Sequence, residues 1–511
     1  MKAARKISTT LDPRFRGGDR LSVRRSRESG NPVSFEPVRQ RRWAPAFAGV
    51  TALVIALAPA LASAASEARN VIVFIGNGLG PSTTTAARLM RYREEGTLAV
   101  DTMPYLARVR TYSLDAQTTD GAAAVSALMT GVKVRNDVVA MDGATRAAGF
   151  APGKDPIRNV PLAENRCPAN GNGGPSSTLV ELAIAKGKGT GIVTTSRLTN
   201  GPTAATYAHV CHRDAEYDIA RQAVPGGAGF NDRLGRGIDV MMGGGSAYWR
   251  PFEAGKRPRG RPDGRDLVAE LHAQAYTFVT DLTSMNAAPF APGSRLIGLF
   301  DFAEGEGQLQ SHMSYDLERD PNREPSLAQM TSKAMDLLSK QANGYLLIVE
   351  GGRIDHALHA NHAKRALVDT IAFDDAVKVA LERADLNRTL IVVTSDHDHT
   401  MTLIGGGRRG SDVLGLHLNP VTGKPSVDAG GNSYTALVFG TGTNRPDKRA
   451  TLDTPTVVGK DYQQEAAIKL AGETNGGGDV MLYAAGAAAA NFRGTMENTR
   501  VFKLIRNAAG Y

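Results

Sequence analysis

The chain has 511 residues, with 60 Lys/Arg against 51 Asp/Glu and a formal net charge of +9. Such an excess would suggest a nucleic-acid partner, but it is concentrated at one end. Residues 1–64 carry 12 basic and 4 acidic residues, and the rest of the chain is nearly neutral. The charge distribution therefore argues against a nucleic-acid-binding protein.

Residues 1–64 are predicted to be a basic leader followed by a signal peptide. The apolar run 50–57 and the small-residue ending at Ala64 are typical of a signal-peptide core and its cleavage site. The apolar run is too short to span a bilayer. We therefore expect a periplasmic or secreted protein, with no membrane span in a mature chain that forms a single domain over residues 65–511.

Short apolar runs alternate with helical stretches along this domain, and the alternation predicts an α/β fold with a doubly wound, mostly parallel sheet and helices on both faces. Residues 251–265 and the glycine-rich residues 405–433 are predicted to be exposed loops. Helices are predicted after Asp120, at 178–186 and ahead of residue 345. The predicted strands are 70–75, 191–196, 238–242, 296–300, 345–349, 390–394 and 434–439.

The chain has two cysteines, Cys167 and Cys211. In an exported protein, two cysteines are most simply explained by one disulfide bond. Two free, buried thiols are the alternative, because the sequence does not give the distance between them.

The stretch 345–400 holds five of the ten histidines. Asp355 and His359 are four residues apart on a predicted helix, so both side chains can reach one cation. Asp396 and His397 follow a later predicted strand, and ligands gather at the carboxyl ends of strands in open α/β sheets. The two pairs predict a metal site suited to zinc, with a solvated helix face and a polar loop as the alternatives.

The motifs VEGGRIDH and TSDHDH in this stretch resemble those of the alkaline phosphatases, and the similarity extends from about residue 70 to the C-terminus. The resemblance implies phosphate-monoester hydrolysis through a serine nucleophile, at a site with two zinc ions and one magnesium ion. The residues that match the family pattern are Asp355 and His359 for the first zinc, Asp396 and His397 for the second zinc, Glu350 for magnesium, and Arg213 for phosphate.

Several other positions depart from that pattern. Gly121 stands where the nucleophilic serine is expected, so a phospho-enzyme cannot form there. A neutral amide is a weak zinc ligand, and we expect the metal sites to be weakened. Asn77 stands where the family has an aspartate between zinc and magnesium. Asn200 and Pro202 stand at replaced positions near magnesium. Asn475 stands where a histidine should complete the first zinc site.

These observations leave two functions open. One is a metal-dependent phosphomonoesterase with impaired activity. The other is a non-catalytic relative that binds phosphate or a phosphorylated ligand, since Arg213 and the helix start at Gly121 can still hold an anion. The expected partner in either case is phosphate or a small phosphomonoester. A homodimer is a further expectation.

Overall fold

The computed structural model describes residues 67–147, 149–155, 157–165, 167, 172–253, 259–289, 291–301 and 311–511. The predicted leader and signal peptide, residues 1–64, lie outside this range. The described residues belong to one compact unit. Within them, we find no helix that combines the length and the apolar character needed to cross a bilayer.

The strands alternate with helices along the chain, as the sequence predicted. The strands are β1 (Asn70–Gly76), β2 (Tyr105–Arg110), β3 (Phe150–Lys154), β4 (Pro161–Ala163), β5 (Gly189–Arg197), β6 (Val240–Gly244), β7 (Tyr276–Val279), β8 (Arg295–Leu299), β9 (Tyr345–Gly351), β10 (Thr389–Ser395), β11 (Asp398–His399), β12 (Met401–Leu403), β13 (Leu437–Gly442), β14 (Ala466–Lys469), β15 (Asn475–Gly476), β16 (Val480–Gly486) and β17 (Gly494–Glu497).

The helices vary from one turn to more than five turns. They are α1 (Pro81–Tyr92), α2 (Gly121–Thr130), α3 (Leu179–Ala185), α4 (Gly201–Ala204), α5 (Glu216–Gln222), α6 (Ser246–Trp249), α7 (Leu267–Ala273), α8 (Leu282–Ala287), α9 (Leu327–Leu338), α10 (Arg353–His359), α11 (Ala363–Arg383), α12 (Thr454–Val457) and α13 (Asn498–Ala509). Short 3₁₀ turns occur at Val100–Thr102, Asp232–Leu234 and Ala489–Asn491.

Ten strands form one sheet in the order β17-β2-β16-β10-β1-β9-β5-β6-β8-β7. The strands from β10 to β7 in this order are parallel, whereas β16 is antiparallel to both β10 and β2. Parallel strands need crossover connections, which the helices supply. The predicted mostly parallel α/β sheet is confirmed.

Both faces of the sheet are covered, which explains why its central strands β1, β9 and β10 are apolar over most of their length. Val71, Val73 and Ile75 of β1 pack on the side of α2, α3 and α13, whereas Ile72 and Phe74 pack on the side of α1, α9 and α11. All five side chains are buried. Each contributes about 1.5–3 kcal/mol to the free energy of unfolding.

Two other predictions have a clear outcome in the structure. Cys167 and Cys211 form a disulfide bond, so the predicted pairing is confirmed. The prediction that residues 251–265 are an exposed loop is wrong at Arg261, whose side chain is fully buried. Its guanidinium pairs with Asp263 and donates to the backbone carbonyl of Tyr248 at 2.9 Å, and these partners satisfy the buried charge.

Candidate active site

The carboxyl ends of the three central strands lie at one level of the sheet. Gly76 at the end of β1 pairs in register with Ser395 of β10 and with Gly351 of β9. The segments that follow these residues therefore leave the sheet side by side, at the edge where open α/β sheets bind ligands. The predicted metal ligands at or just beyond these strand ends are Glu350, Asp355, His359, Asp396 and His397.

Three side chains form what we call the first cluster: Asp355 and His359 of α10, and His399 of β11. The Nε2 atom of His399 lies 2.8 Å from Oδ1 of Asp355, and Nε2 of His359 lies 3.3 Å from the same oxygen. One ligand atom from each residue lies within 4.8 Å of the other two. Such spacing allows all three groups to contact one cation.

The first cluster is strongly polarised. Burial opposes ionisation of Asp355, but His359 and His399 hold the pKa of its carboxyl well below the usual range. Burial likewise disfavours the charged form of His399, yet its contacts with Asp355 and Glu473 raise the pKa of its imidazole to about 10. The cluster thus keeps positive charge between its ligand atoms, at the position that a divalent cation would take.

Glu473 fixes the orientation of both imidazoles. Its carboxylate contacts Nδ1 of His399, and its backbone carbonyl accepts a hydrogen bond from Nδ1 of His359 at 2.7 Å. Glu473 is buried and also accepts hydrogen bonds from the backbone N–H and hydroxyl of Thr400, both at 2.6 Å. Sequence reasoning gave neither Glu473 nor His399 a role. The available signal was that His399 ends the TSDHDH run, two residues after His397.

Asp396 and His397 form what we call the second cluster. Oδ1 of Asp396 accepts hydrogen bonds from the backbone N–H groups of Gly78 and His397, both at 2.9 Å. Its other oxygen, Oδ2, is buried, lacks a hydrogen-bond partner in the described structure and lies 3.6 Å from Nε2 of His397. Burial raises the pKa of this carboxyl. An unpartnered buried oxygen beside an imidazole nitrogen is a suitable position for a cation.

Glu350 lies at the centre of a hydrogen-bond network that we call the Glu350 network. Asn77 donates from Nδ2 to Oε1 of Glu350 at 3.0 Å. The hydroxyls of Thr194, at 2.7 Å, Ser196, at 3.3 Å, and Thr203 all donate to Oε2. Burial nevertheless raises the pKa of Glu350. Both oxygens of the predicted magnesium ligand are therefore occupied by protein donors.

Gly121 is the first residue of α2 and faces the second cluster. A Cβ atom added at Gly121 would lie 2.9 Å from Oδ2 of Asp396 and 3.6 Å from Nε2 of His397. It would also lie 2.8 Å from Cγ of Pro202, which is closer than real Cβ contacts. Gly121 is the position at which the sequence analysis predicted a nucleophile, and the ring of Pro202 would contact the Cβ atom of a serine placed there.

The hydroxyls nearest to Gly121 in the sequence are engaged elsewhere. Thr119 donates its hydroxyl to the backbone carbonyl of Asp120 at 2.9 Å. Ser126 donates to the carbonyl of Ala122 at 2.7 Å and accepts from the N–H of Ala140 at 2.8 Å, and its side chain is fully buried. Neither hydroxyl is placed to replace the missing one.

Arg213 lies beside the start of α2. Its guanidinium donates to Oδ2 of Asp120 at 2.9 Å, and Oδ1 of Asp120 caps the helix by accepting from Ala123 N–H at 2.8 Å. The guanidinium also lies against Gly201, the first residue of α4. Asn200, one residue earlier, is buried and its side chain does not cap α4. Arg213 and the N-terminus of α2 thus lie beside Gly121, and the carboxylate of Asp120 pairs with both of them.

Asn475 does not contact the first cluster through its side-chain amide. Its Nδ2 donates to the backbone carbonyl of Thr119 at 2.9 Å. In the two-stranded pair β11–β15, however, Asn475 lies directly opposite His399.

Comparisons with known proteins identify the family of the chain. A family model described as alkaline phosphatase matches residues 68–511. The chain is 32% identical over 472 residues to the tissue-nonspecific alkaline phosphatase isozyme of Gallus gallus, covering 86% of this chain and 84% of that protein. It is 32% identical over 477 residues to an alkaline phosphatase of Gadus morhua, covering 87% and 92%.

Solved structures show the same fold. The alkaline phosphatase of Thermus thermophilus superposes with a TM-score of 0.61 at 23% identity, over 87% of this chain and 92% of that one. The alkaline phosphatase of the Antarctic bacterium TAB5 gives a TM-score of 0.57 at 21% identity, over 87% and 99%. One mutant of that enzyme has Mg bound in its M3 site.

Proposed function

The chain belongs to the alkaline phosphatase family, and from that premise we propose that it binds phosphate monoesters at a two-cation site and hydrolyses them slowly, without a phospho-enzyme. The observation that supports this proposal is that side chains able to bind cations are present, whereas the hydroxyl expected of a nucleophile is absent. Two clusters of metal-ligand side chains are assembled, but the position facing the second cluster is Gly121, which has no hydroxyl.

The two clusters fit divalent cations of the zinc type. In the first cluster, Asp355 and His359 offer one carboxylate and one imidazole, and both groups are common zinc ligands. The second cluster offers Asp396 and His397. Oδ2 of Asp396 is buried and lacks a hydrogen-bond partner among the described residues, and so does Oδ1 of Asn77, the residue at the position that the resemblance gives to an aspartate between zinc and magnesium. Because an amide oxygen carries no charge, we propose that the second cation is held more weakly than the first.

The Glu350 network does not fit magnesium in the same way. Mg²⁺ requires near-octahedral oxygen ligands, and both oxygens of Glu350 already accept hydrogen bonds from protein donors. The replaced positions Asn200 and Pro202 add no hydroxyl or carboxylate there. We therefore propose that the site functions with two cations.

The residues of the chain can bind and orient the ester but cannot attack it. Arg213 and the first N–H groups of α2 would hold the phosphate oxygens. When bound, the cations would supply positive charge for the oxygens that gain negative charge during phosphoryl transfer. With Gly121 in place of a hydroxyl, water is the remaining nucleophile. In the proposed single step, the water oxygen forms a bond to phosphorus while the ester P–O bond breaks, and the alcohol leaves with the proton that the water loses. The alternative, binding without turnover, has the same ligand set and differs only in rate.

The test uses the purified full-length protein with p-nitrophenyl phosphate as substrate and defined zinc. We expect slow turnover that stops when a chelator removes the metal, and no phosphate covalently attached to the protein by mass spectrometry. Arg213→Gln is expected to weaken phosphate binding without loss of zinc. Phosphate binding without turnover would favour the non-catalytic alternative, and absence of zinc binding would contradict the proposed two-cation site.

We also propose that the protein is exported, because residues 1–64 have the pattern of a leader and signal peptide. The N-terminal residue of exported protein is expected near Ala65. Exported protein that still carries the arginine-rich leader would contradict this proposal. A homodimer remains an expectation, to be tested by the mass of the protein in solution.

A further inference from the structure

We propose that His399 supplies the third protein ligand of the first cation, in place of the histidine that is absent at position 475. Without His399, the expected first site would consist of Asp355 and His359 alone. The inference concerns cation binding within the proposed function, and cation content tests it independently of turnover.

The imidazole of His399 lies beside the carboxylate of Asp355. Its Nε2 lies closer to Oδ1 of Asp355, at 2.8 Å, than does Nε2 of His359, at 3.3 Å. The two imidazole rings lie 4.7 Å apart and nearly perpendicular, so their Nε2 atoms converge on one oxygen. A cation bound between Asp355 and His359 would therefore be within reach of His399 with little movement.

Strand pairing explains how a histidine at 399 can reach this pocket. His399 and Asn475 are directly opposite each other in the antiparallel pair β11–β15. Opposite residues in such a pair project to the same face, with their Cβ atoms about 4.5–5.5 Å apart. A ligand lost from one strand can thus be supplied from the facing position on the other. Asn475 is turned away, with its amide bonded to the carbonyl of Thr119.

Two neighbours prepare His399 for this role. Glu473 contacts Nδ1 of His399, which leaves Nε2 directed toward Asp355. A carboxylate on the far nitrogen of a metal-binding imidazole orients the ring and increases its basicity. Gly78, with φ +72°, makes room for the ring: a Cβ atom there would lie 2.4 Å from Cδ2 of His399. Both contacts hold the imidazole in place before any cation binds.

The experiment measures zinc content and affinity in the full chain, by metal analysis and competition with a coloured chelator. His399→Ala is expected to lower affinity at the first site by at least about 100-fold, since loss of a direct ligand exceeds the roughly 10–100-fold cost of losing an outer partner. His359→Ala is the positive control and should have a similar effect. His272→Ala changes an exposed histidine outside the site and should leave zinc binding unchanged.

A second variant separates ligand loss from misfolding. His399→Ala combined with Asn475→His moves the imidazole to the opposite strand and should recover most of the lost affinity. With Co²⁺ in place of zinc, His399→Ala should weaken the visible absorption of the first site, and the double variant should restore it.

If wild-type protein binds two cations and His399→Ala leaves both the affinity and the Co²⁺ spectrum unchanged, His399 is not a ligand and the inference is wrong, whereas the proposed function stands. If wild-type protein binds no divalent cation, the proposed function fails and the inference fails with it.

Discussion

The first cluster and the surroundings of Gly121 are neighbouring parts of one site, yet they differ in kind. In the first cluster, three ligand side chains converge, and Glu473 orients two of them. Around Gly121, neighbouring side chains lie close to the position that a Cβ atom would take. The ring of Pro202 lies where a serine side chain would begin, and Asn77 donates to Glu350.

The comparison shows that residues around the predicted nucleophile position pack and hydrogen-bond in ways that depend on the replacements: Pro202 packs beside Gly121, and Asn77 donates to Glu350. An aspartate at 77 would be one more buried carboxylate beside Glu350, whereas Asn77 satisfies that carboxylate with a neutral donor. Pro202 fits because Gly121 has no side chain. A serine introduced at 121 alone would therefore meet the ring of Pro202, and the effects of substitutions at these two contacting positions are expected to be coupled.

The largest expected effect comes from repairing the Gly121 side as a unit. The triple variant Gly121→Ser, Pro202→Ser and Asn77→Asp should increase zinc-dependent turnover by at least about 100-fold. The reason is that substitutions at residues that act together in catalysis have strongly non-additive effects on the rate. Steady-state assays of the three single variants and the triple variant provide the measurement. If Gly121→Ser alone reaches the rate of the triple variant, the packing of Pro202 and the neutrality of Asn77 do not limit activity.

The next effect concerns the first cluster. Glu473→Gln keeps the shape of the side chain but weakens the contact that orients His399, so zinc affinity at the first site should fall by roughly 10–100-fold. Glu465→Gln is the matched control, since Glu465 pairs with Arg449 outside the site. Metal analysis with a competing chelator checks the prediction. Equal affinities of the two variants would show that Glu473 does not support the cation.

A smaller effect is expected on stability when a side chain is added at Gly121. Gly121→Ser should lower the free energy of unfolding by about 1–3 kcal/mol, since its Cβ atom would press on Pro202 and Asp396. Gly121→Ala isolates the steric part, because it adds the same carbon without the hydroxyl. Adding Pro202→Ala to either variant should recover part of the loss in denaturant titrations. No recovery would mean that Pro202 is not the source of the strain.

A stability effect of comparable size tests the Glu350 network. Thr203→Val removes one hydroxyl donor to the buried carboxylate and should cost about 1.5–3 kcal/mol of unfolding free energy. Thr331→Val is the control, because this buried threonine donates to the neutral carbonyl of Leu327, at 2.8 Å, and should cost only about 0.5–1.5 kcal/mol. Chemical denaturation of both variants provides the measurement. A Thr203→Val loss no larger than that of the control would show that the network adds little.

The sequence by itself was sufficient for features that depend on local pattern. Apolar runs ending in glycine or polar residues predicted strands such as β1, β9 and β10, since burial on both faces requires continuous apolar side chains. The four-residue spacing of Asp355 and His359 placed both on one face of α10. The adjacent residues Asp396 and His397 also occupy the predicted strand end.

Only the tertiary structure decided which distant residues meet. His399 reaches Asp355 because α10 and β11 converge beyond the sheet edge, and it faces Asn475 through a strand pairing between residues far apart in the chain. The contact of Pro202 with Gly121 joins the starts of two helices. Such contacts follow from strand order and register, which periodicity within a segment does not encode. The first cluster therefore has a third ligand atom that the alignment of motifs alone left out.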